Sequence, residues 1–330
     1  MKIGSVDLGD RPLLLAPMED VTDPSFRFMC KHFGADMMYT EFINADGLIR
    51  DAGSSVAKLN IYDYERPIGI QLYGHIIESM VEAARVATTA NPEIIDINFG
   101  CPVKKIANRG AGSGMMRDVP KMVEMTKQIV NATQLPVTVK TRLGWDHTSI
   151  VILDVARMLE DLGIAALTLH CRTRCQGYTG EADWAWITRV KEVSSIPLIA
   201  NGDIITPRDA ETCFNLGADG VMIGRGAIHS PWVFRHIRHY FETGEILPDP
   251  SLEERMALCI RHLTEHTAYR GERRGVLSFR RHYAGYLKGV PHIAQLRKEL
   301  MELEEVAPII ERLNRFLVEF NDYIASEEGS

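Results

Sequence analysis

The sequence predicts an α/β fold, a (β/α)8 barrel of the TIM-barrel type followed by a small C-terminal helical domain. Eight short apolar runs recur along the first two thirds of the 330 residues, and their starts lie about 30 residues apart, the length of one strand, one helix and two loops. The runs lack a polar alternate face, which is typical of parallel strands buried on both sides. Eight such units over about 240 residues favour a closed barrel over an open doubly wound sheet.

Amphipathic stretches with helix signals lie between the apolar runs. Thr206 is the expected N-cap of a helix with Pro207 at its first position and Gly217 past its end, and Asp118 precedes a second predicted helix at 120–133. These stretches complete the strand–helix repeat. The eight predicted strands are 13–16, 37–41, 68–72, 94–98, 136–141, 165–170, 197–201 and 220–224.

After residue 244 the sequence contains only helical patterns. The segment 247–251 predicts a linker, and Ser251 is the expected cap of the helix that follows. We therefore expect a barrel domain over residues 1–244 and a helical domain over residues 245–330. The predicted helices of the second domain are 252–269, 275–288, 292–305 and 308–325.

Charge is unevenly distributed within the predicted helical domain. Residues 270–298 hold eight basic residues and one acidic residue, whereas residues 299–328 hold two basic and nine acidic residues. This division indicates a binding face backed by a solvated face. The whole chain has a net charge of -7, which excludes a strongly basic coat for nucleic acid but leaves room for a local basic patch.

The composition limits the class of protein further. Hydrophobic residues at 45% and charged residues at 25% exclude a disordered chain. No apolar run reaches the ~18 residues of a membrane span, and the N-terminus shows no signal-peptide pattern, so we expect a cytoplasmic protein without a membrane partner. The six cysteines form no CxxC pair, so neither a zinc ribbon nor a disulfide framework is expected, and we predict no metal.

The carboxyl ends of the last two strands carry a phosphate-binding pattern. The sequence reads Asn-Gly-Asp at 201–203 and Gly-Arg-Gly at 224–226. In barrels the loops after strands seven and eight commonly bind phosphate through glycine amides, and Arg225 adds a permanent cation. The alternative is that Gly202 and Gly224 only permit tight turns.

Three more strands end in polar residues that suit a heterocyclic ligand. Gln71, Lys140 and His170 offer an amide, a cation and an imidazole to the mouth of the barrel. This set suits the pyrimidine ring of a flavin, whose electronics the protein must tune. The alternatives are that Lys140 pairs with a buried carboxylate such as Glu41, that His170 is a satisfied structural histidine, and that Gln71 caps a loop.

Cys101 follows the fourth strand between Gly100 and Pro102. Gly100 permits an unusual backbone and Pro102 fixes the exit of the chain, so the thiol is expected at the mouth. Nucleophile, redox centre and general acid are open roles, as is an inert buried thiol. With a reference pKa of ~8.5, an unactivated thiol stays protonated near neutral pH and can donate a proton to carbon.

Taken together, five motifs resemble the tRNA-dihydrouridine synthase family over nearly the whole chain, and their order and spacing are most similar to its bacterial B-type branch. Single motifs are shared with other flavin barrels, but Asn-x-Gly-Cys-Pro combined with the rest is specific. The motifs are LAPMEDVTD at 15–23, DINFGCP at 96–102, VKTR at 139–142, HCRTR at 170–174 and ANGDI at 200–204.

The resemblance implies an FMN-dependent oxidoreductase that uses NADPH or NADH to reduce specific tRNA uridines to 5,6-dihydrouridine. Hydride would pass from flavin N5 to uracil C6, and Cys101 would protonate C5. The family pattern is broken by Cys171, which replaces a glycine, and by Glu19, where close relatives carry a small residue. The implied FMN contacts are Pro17, Met18, Glu19, Gln71, Lys140, His170, Asn201, Gly202, Asp203, Gly224 and Arg225, and the implied uracil contacts are Asn98 and either Arg142 or Arg172.

The basic segment of the helical domain is the expected site for tRNA phosphates. Aromatic residues are interleaved with its cations for packing or stacking, although helical spacing of aromatics is more typical of a core than of a base platform. The candidates for phosphate are Arg280, Arg281 and Lys288, and the aromatics are Phe279, Tyr283 and Tyr286.

Two other functions fit part of the sequence. An FMN-dependent enzyme acting on a small free pyrimidine would share the phosphate site and Lys140 but would not need the basic helical domain. A barrel that binds RNA without catalysis would tolerate loss of Cys101 and would hold no flavin.

Overall fold

Eleven strands are present in the computed structural model, which describes residues 1–291 and 293–328. Eight of them match the predicted strands to within two residues at either end. The strands are β1 (Lys2–Ile3), β2 (Val6–Asp7), β3 (Leu13–Leu15), β4 (Met38–Tyr39), β5 (Ile43–Asn44), β6 (Ile68–Tyr73), β7 (Ile94–Asn98), β8 (Val137–Arg142), β9 (Ala166–His170), β10 (Leu198–Asn201) and β11 (Gly220–Ile223).

The eight predicted strands close into a parallel barrel. They neighbour one another in the order β3-β11-β10-β9-β8-β7-β6-β4, and a parallel bridge between Leu14 and Met37 joins the two ends of that order. β5 extends the pairing of β6, and β1 and β2 form a separate antiparallel pair. The predicted fold class is confirmed.

Alternate residues of the barrel strands belong to two separate apolar clusters. Leu14, Tyr39 and Met222 are among the residues that fill the barrel interior, whereas Leu13 and Ile223 belong to the cluster shared with the helices. Successive side chains of a strand point to opposite faces. Both faces are apolar because both are covered, which explains why the runs show no polar alternation.

Helices follow the strands around the barrel and then continue alone. None of the described helices has both the length and the apolar character that crossing a membrane requires. The helices are α1 (Pro24–His32), α2 (Ala45–Leu48), α3 (Gly53–Val56), α4 (Ile77–Thr88), α5 (Lys104–Ala107), α6 (Val119–Ala132), α7 (Ile152–Asp161), α8 (Ala185–Lys191), α9 (Pro207–Asn215), α10 (Arg225–His229), α11 (Val233–Thr243), α12 (Leu252–Arg270), α13 (Glu272–Phe279), α14 (Tyr283–Tyr286), α15 (Ile293–Glu302) and α16 (Val306–Glu328).

The predicted helix caps are present. The Asp118 side chain accepts a hydrogen bond from the Lys121 amide at the start of α6. Thr206 starts α9 with a reciprocal capping box, and Ser251 starts α12 in the same way. Each cap satisfies amides that a helix N-terminus leaves unpaired, which is why these boundaries could be predicted from local sequence.

The predicted helix over 275–288 is wrong as a single element, because α13 and α14 are separated by a turn. The His282 amide donates to the Phe279 carbonyl across this turn, at 2.8 Å. The turn buries the His282 ring against Phe26 of α1, with 5.4 Å between ring centroids. Packing against the barrel therefore decides the break, which helix propensity does not signal.

The last two helices have bounds different from those predicted. His292, the first residue of the predicted helix 292–305, lies outside the described residues, and the observed helix α15 ends three residues early at Glu302. The predicted helix 308–325 is α16, which begins two residues earlier and continues to Glu328.

The helical segment is fixed to the barrel through α1. Asp23, the N-cap of α1, accepts a hydrogen bond from Arg270 Nε at 2.8 Å and lies 3.1 Å from His266 Nδ1. Asp23 is 1% exposed, and both partners belong to α12. Because Asp23 ends the loop that carries Met18 to the mouth, this contact ties the helical segment to the wall of the site.

Candidate active site

A cavity of about 400 Å³ opens at the carboxyl ends of the barrel strands. Its position and volume are typical of barrel ligand sites. Among the predicted site residues, Arg172, Arg280, Arg281 and Lys288 do not line it. Those that do are Pro17, Met18, Glu19, Gln71, Asn98, Cys101, Lys140, Arg142, His170, Asn201, Gly202, Asp203, Gly224 and Arg225.

Lys140 places a partly buried cation in the cavity wall. Its Nζ donates to Asn201 Oδ1 at 2.9 Å, and Asn201 Nδ2 donates to the Met222 carbonyl at 2.8 Å. Burial, reinforced by the nearby Arg142 cation, lowers the pKa of Lys140 to about 8, so the ammonium form still dominates at pH 7. No ion pair joins Lys140 to Glu41 in the part of the chain that the structure describes, so that alternative is wrong.

His170 presents a buried, neutral imidazole at the end of β9. Burial and the cations Arg142 and Lys140 hold its pKa well below the ordinary value. Its Nδ1 is buried and has no hydrogen-bond partner among residues 1–291 and 293–328. The alternative of a fully satisfied structural histidine is therefore wrong. A buried polar atom without a partner costs free energy unless a ligand satisfies it.

Asp203 organises the end of the cavity at β10 and β11. Its carboxylate accepts hydrogen bonds from Arg225 Nη2 at 2.8 Å and from Arg172 Nη1 at 2.9 Å. Arg172 also donates to the Thr179 and Gly180 carbonyls, so it holds the loop after β9 from behind the cavity. Arg225 lines the cavity and is the cation available to a ligand there.

Two glycines, Gly202 and Gly224, lie at the β10 and β11 end of the cavity. Gly202 has φ +112°, a conformation that side chains rarely adopt, and a Cβ there would lie 3.0 Å from Ala182 Cβ. Gly224 lies beside the Ala16 and Met18 side chains, where a Cβ would make an ordinary contact at 3.6 Å. The tight turn at Gly202 therefore requires glycine, and the phosphate site at these two positions stays a prediction.

Cys101 lies on the opposite wall, just after β7. Its amide donates to Asn98 Oδ1 at 2.9 Å, and its carbonyl accepts from Ser113 Oγ at 2.7 Å. The residue is 7% exposed, and burial raises the pKa of its thiol, opposed by the Val103 amide and Arg142. The thiol is therefore protonated at neutral pH, which favours a proton donor over a thiolate nucleophile.

Gln71 belongs to a buried polar network rather than to a loop cap. Its Nε2 donates to Asp96 Oδ2 at 2.6 Å, and its Oε1 accepts from Asn98 Nδ2 at 2.8 Å. Sequence reasoning did not single out Asp96 as a site residue. The available signal was a carboxylate two residues before Asn98, on the same face of a strand that is otherwise apolar.

Tyr178 was also missed, and nothing in its local sequence marks it. It lies in the loop after β9, lines the cavity and is 58% exposed. The guanidinium carbons of Arg225 and Arg142 lie 4.8 and 5.7 Å from its ring centroid. These distances are typical of cation–π contacts, so Tyr178 orders the two arginines at the cavity rim.

Glu19 lies at the rim within an acidic group. Lys58 Nζ donates to Glu19 Oε1 at 2.5 Å and lies 4.0 Å from Glu41. Carboxylate oxygens of Glu19, Asp20 and Glu41 lie within 4.8 Å of one another. The unusual glutamate is thus paired with a lysine of its own chain.

The basic candidates of the helical segment differ in exposure. Arg281 and Lys288 are exposed, and Arg281 Nη1 donates to the Asp20 carbonyl at 2.9 Å. Arg280 is only half-exposed and donates to the Leu303 carbonyl. The aromatic residues are core residues, as their helical spacing suggested: Phe279, Tyr283 and Tyr286 are buried.

Comparison with known proteins identifies relatives of the whole chain. The sequence model of the family described as Dihydrouridine synthase (Dus) matches residues 14–321. The chain is 38% identical to tRNA-dihydrouridine synthase B of Pseudomonas putida, over 100% of this chain and 98% of that one. It is 40% identical to a probable tRNA-dihydrouridine synthase 1 of Synechocystis, over 93% of this chain and 86% of that one.

Solved structures agree on the fold. The old yellow enzyme homologue from Zymomonas mobilis superposes with a TM-score of 0.54 at 15% identity, covering 76% of this chain and 93% of that one. At this identity the likeness concerns the barrel alone. The family match and the full-length relatives carry the assignment: the chain belongs to the tRNA-dihydrouridine synthase family, in its bacterial B-type branch.

Proposed function

We propose that this protein reduces specific uridines of tRNA to 5,6-dihydrouridine, with FMN bound in the mouth of the barrel and NADPH or NADH as reductant. The observation that carries the proposal is the protonated thiol of Cys101 in one cavity with a partly buried cation, Lys140, and an unsatisfied imidazole, His170. Family membership supplies the substrate class.

The residues present fit FMN. His170 Nδ1 needs a partner, and Lys140 is a partly buried cation that forms no ion pair within the described ranges. Both residues, together with Gln71, would contact the flavin ring system of FMN. Gly202, Gly224 and Arg225 would hold the phosphate, since two glycine turns and an exposed guanidinium converge at that end of the cavity.

The proposed chemistry divides between the coenzyme and Cys101. Reduced FMN, when bound, supplies the hydride for C6 of uracil. The Cys101 thiol gives its proton to C5, and burial keeps that proton on sulfur at neutral pH. Lys140, protonated below about pH 8, supplies positive charge to the ring system.

Asn98 and Arg142 are the residues that we assign to the uracil. Both line the cavity beside Cys101, whereas Arg172 lies behind it and pairs with Asp203. Arg142 donates to the Gly100 and Thr173 carbonyls through Nε and Nη1, which leaves Nη2 for a ligand. The base must leave its stack to reach them, at a cost of ~ a few kcal/mol.

The helical segment 245–330 would offset that cost by binding tRNA away from the reacting base. Arg281 and Lys288 are exposed and suit phosphate contacts. Arg280 is held against the Leu303 carbonyl, which makes it the weaker candidate of the three. The burial of Tyr283 and its neighbours favours packing over base stacking.

The test uses the purified full-length protein and tRNA from a strain that lacks dihydrouridine. We expect a yellow, flavin-containing protein that forms dihydrouridine with NADPH, detected by mass spectrometry of nucleosides. The catalytic control is Cys101→Ala, which should bind flavin and tRNA but form dihydrouridine at least about 100-fold more slowly. A colourless protein, or one that reduces free uracil as readily as tRNA, would overturn the proposal.

A further inference from the structure

A chain of hydrogen bonds runs from a buried carboxyl group to the backbone of the proposed proton donor. Gln71 Nε2 donates to Asp96 Oδ2 at 2.6 Å, and Asn98 Nδ2 donates to Gln71 Oε1 at 2.8 Å. Asn98 Oδ1 then accepts from the amides of Gly100, at 3.0 Å, and Cys101, at 2.9 Å. We call this chain the Asp96 relay.

The groups at the two ends of the Asp96 relay fix its direction. An amide side chain can present either its oxygen or its nitrogen, so each of the two amides has two orientations. The backbone amides of Gly100 and Cys101 can only donate, so they require Asn98 Oδ1. Asn98 then donates to Gln71 Oε1, which turns Gln71 Nε2 toward an acceptor, and Asp96 supplies that acceptor.

The three side chains of the Asp96 relay are buried, and this excludes water as an alternative hydrogen-bond partner. Gln71 is 0%, Asp96 1% and Asn98 6% exposed, so water cannot replace a lost partner without entering the barrel interior. Thr138 Oγ1 donates to the other carboxyl oxygen, Oδ1. Burial raises the pKa of Asp96 to about 7. Because the Thr138 hydroxyl can also accept, a proton on Oδ1 leaves the bond from Gln71 intact.

The Asp96 relay leaves one amide hydrogen on each of Gln71 and Asn98 for a ligand. Asn98 Oδ1 accepts two hydrogen bonds and Gln71 Oε1 accepts one, and each amide nitrogen keeps one hydrogen. Both residues line the cavity. This wall therefore offers amide donors to ligand acceptors such as carbonyl oxygens or ring nitrogens.

We propose that Asp96 is a positioning residue for the reaction, holding the Gln71 and Asn98 amides as donors toward coenzyme and base and, through Asn98, fixing the backbone that carries Cys101. This role rests on the proposed function. Asp96 itself does not line the cavity. Its hydrogen bonds act on the site through the two amides, and its charge also favours the Lys140 cation.

The test compares three substitutions in the full-length protein. Asp96→Leu removes the acceptor for Gln71. Asp96→Asn keeps it, because the new carboxamide oxygen accepts from Gln71 Nε2 while its nitrogen donates to Thr138 Oγ1. Thr138→Val is the matched control, because it removes a hydrogen bond from the same carboxyl group but leaves the relay whole.

The first readout is hydrogen exchange of the Gly100 and Cys101 amides, which requires no assay of activity. Asp96→Leu should speed this exchange by about tenfold or more, because the Asn98 oxygen is no longer held. Asp96→Asn and Thr138→Val should exchange like the unmodified protein. If Asp96→Leu does not fold, Gln71→Met breaks the relay at the next link and should give the same faster exchange.

The second readout is steady-state kinetics, which distinguishes a positioning role of Asp96 from a role in the stability of the fold. Asp96→Leu should lower kcat about 10- to 100-fold while the KM for tRNA stays within about twofold, since misplaced reacting groups reduce the rate more than distant binding. Its FMN dissociation constant should rise, and Asp96→Asn, which keeps the acceptor for Gln71, should restore kcat. Equal losses in Asp96→Leu and Thr138→Val, or unchanged exchange in Asp96→Leu, would overturn the proposed role.

The experiments distinguish failure of the proposed function from failure of the proposed role of Asp96. If the unmodified protein forms no dihydrouridine, the proposed function is wrong, and amide exchange and FMN affinity still judge the relay. If the unmodified protein is active and Asp96→Leu keeps its kcat and its amide protection, the relay is wrong and the proposed function stands.

Discussion

Replacing Cys101 with alanine tests the proposed proton donor. Burial raises the pKa of this thiol above its ordinary value of about 8.5, so at pH 7.5 at least about 90% of the protein carries the proton on sulfur. A positioned general acid contributes about 10²- to 10⁴-fold, which is about 3–5 kcal/mol of barrier. Cys101→Ala should therefore form dihydrouridine at least about 100-fold more slowly.

The assay is single turnover, with the coenzyme reduced first and tRNA then added in excess. Reduction by NADPH should proceed at the unmodified rate, because the thiol takes no part in it, and tRNA affinity should be unchanged. Cys101→Ser is the matched control, since a hydroxyl keeps the size of the group but is a weaker acid. Product formation by Cys101→Ala within about threefold of the unmodified rate would refute the assignment.

Three further predictions concern charge. The pKa of Lys140 is lowered to about 8, so its cation is present below that pH and lost above it; FMN affinity, measured by fluorescence titration, should fall as the pH passes about 8, and Lys140→Met should remove this dependence. Arg27 pairs with Glu65 at 3.0 Å with both side chains buried, so Arg27→Met should lower the free energy of unfolding by about 3–5 kcal/mol in urea denaturation, and a loss under about 1 kcal/mol would contradict the pairing. Arg281→Glu and Lys288→Glu should weaken tRNA binding and reduce the slope of log Kd against log salt by about 1 for each lost phosphate contact, whereas unchanged affinity would exclude these residues from the interface.

Local sequence determined the repeat and its boundaries. The eight apolar runs became strands because both faces of a barrel strand are covered, so each run carries its own signal. Asp118 and Thr206 cap their helices through bonds to residues three positions away. The residues at the strand ends were also predictable, since a parallel barrel brings all carboxyl ends to one mouth.

The tertiary structure decided which strand-end groups meet. Lys140 pairs with Asn201, 61 residues away, rather than with Glu41. Arg142 ends β8 and Arg172 follows the end of β9 by two residues, yet only Arg142 lines the cavity, whereas Arg172 pairs with Asp203. The number of residues between two partners does not predict such pairs. The distance between their side chains depends on how the strands close into the barrel.

The sequence alone therefore determined the barrel, the helical segment after it, the family and most of the cavity lining. Only the tertiary structure decided the Asp96 relay, the turn that splits the helix at His282 and the contact of Asp23 with Arg270, 247 residues away. The physical reason is range: caps and apolar runs act within a few residues, whereas buried polar groups find their partners only after the core has formed.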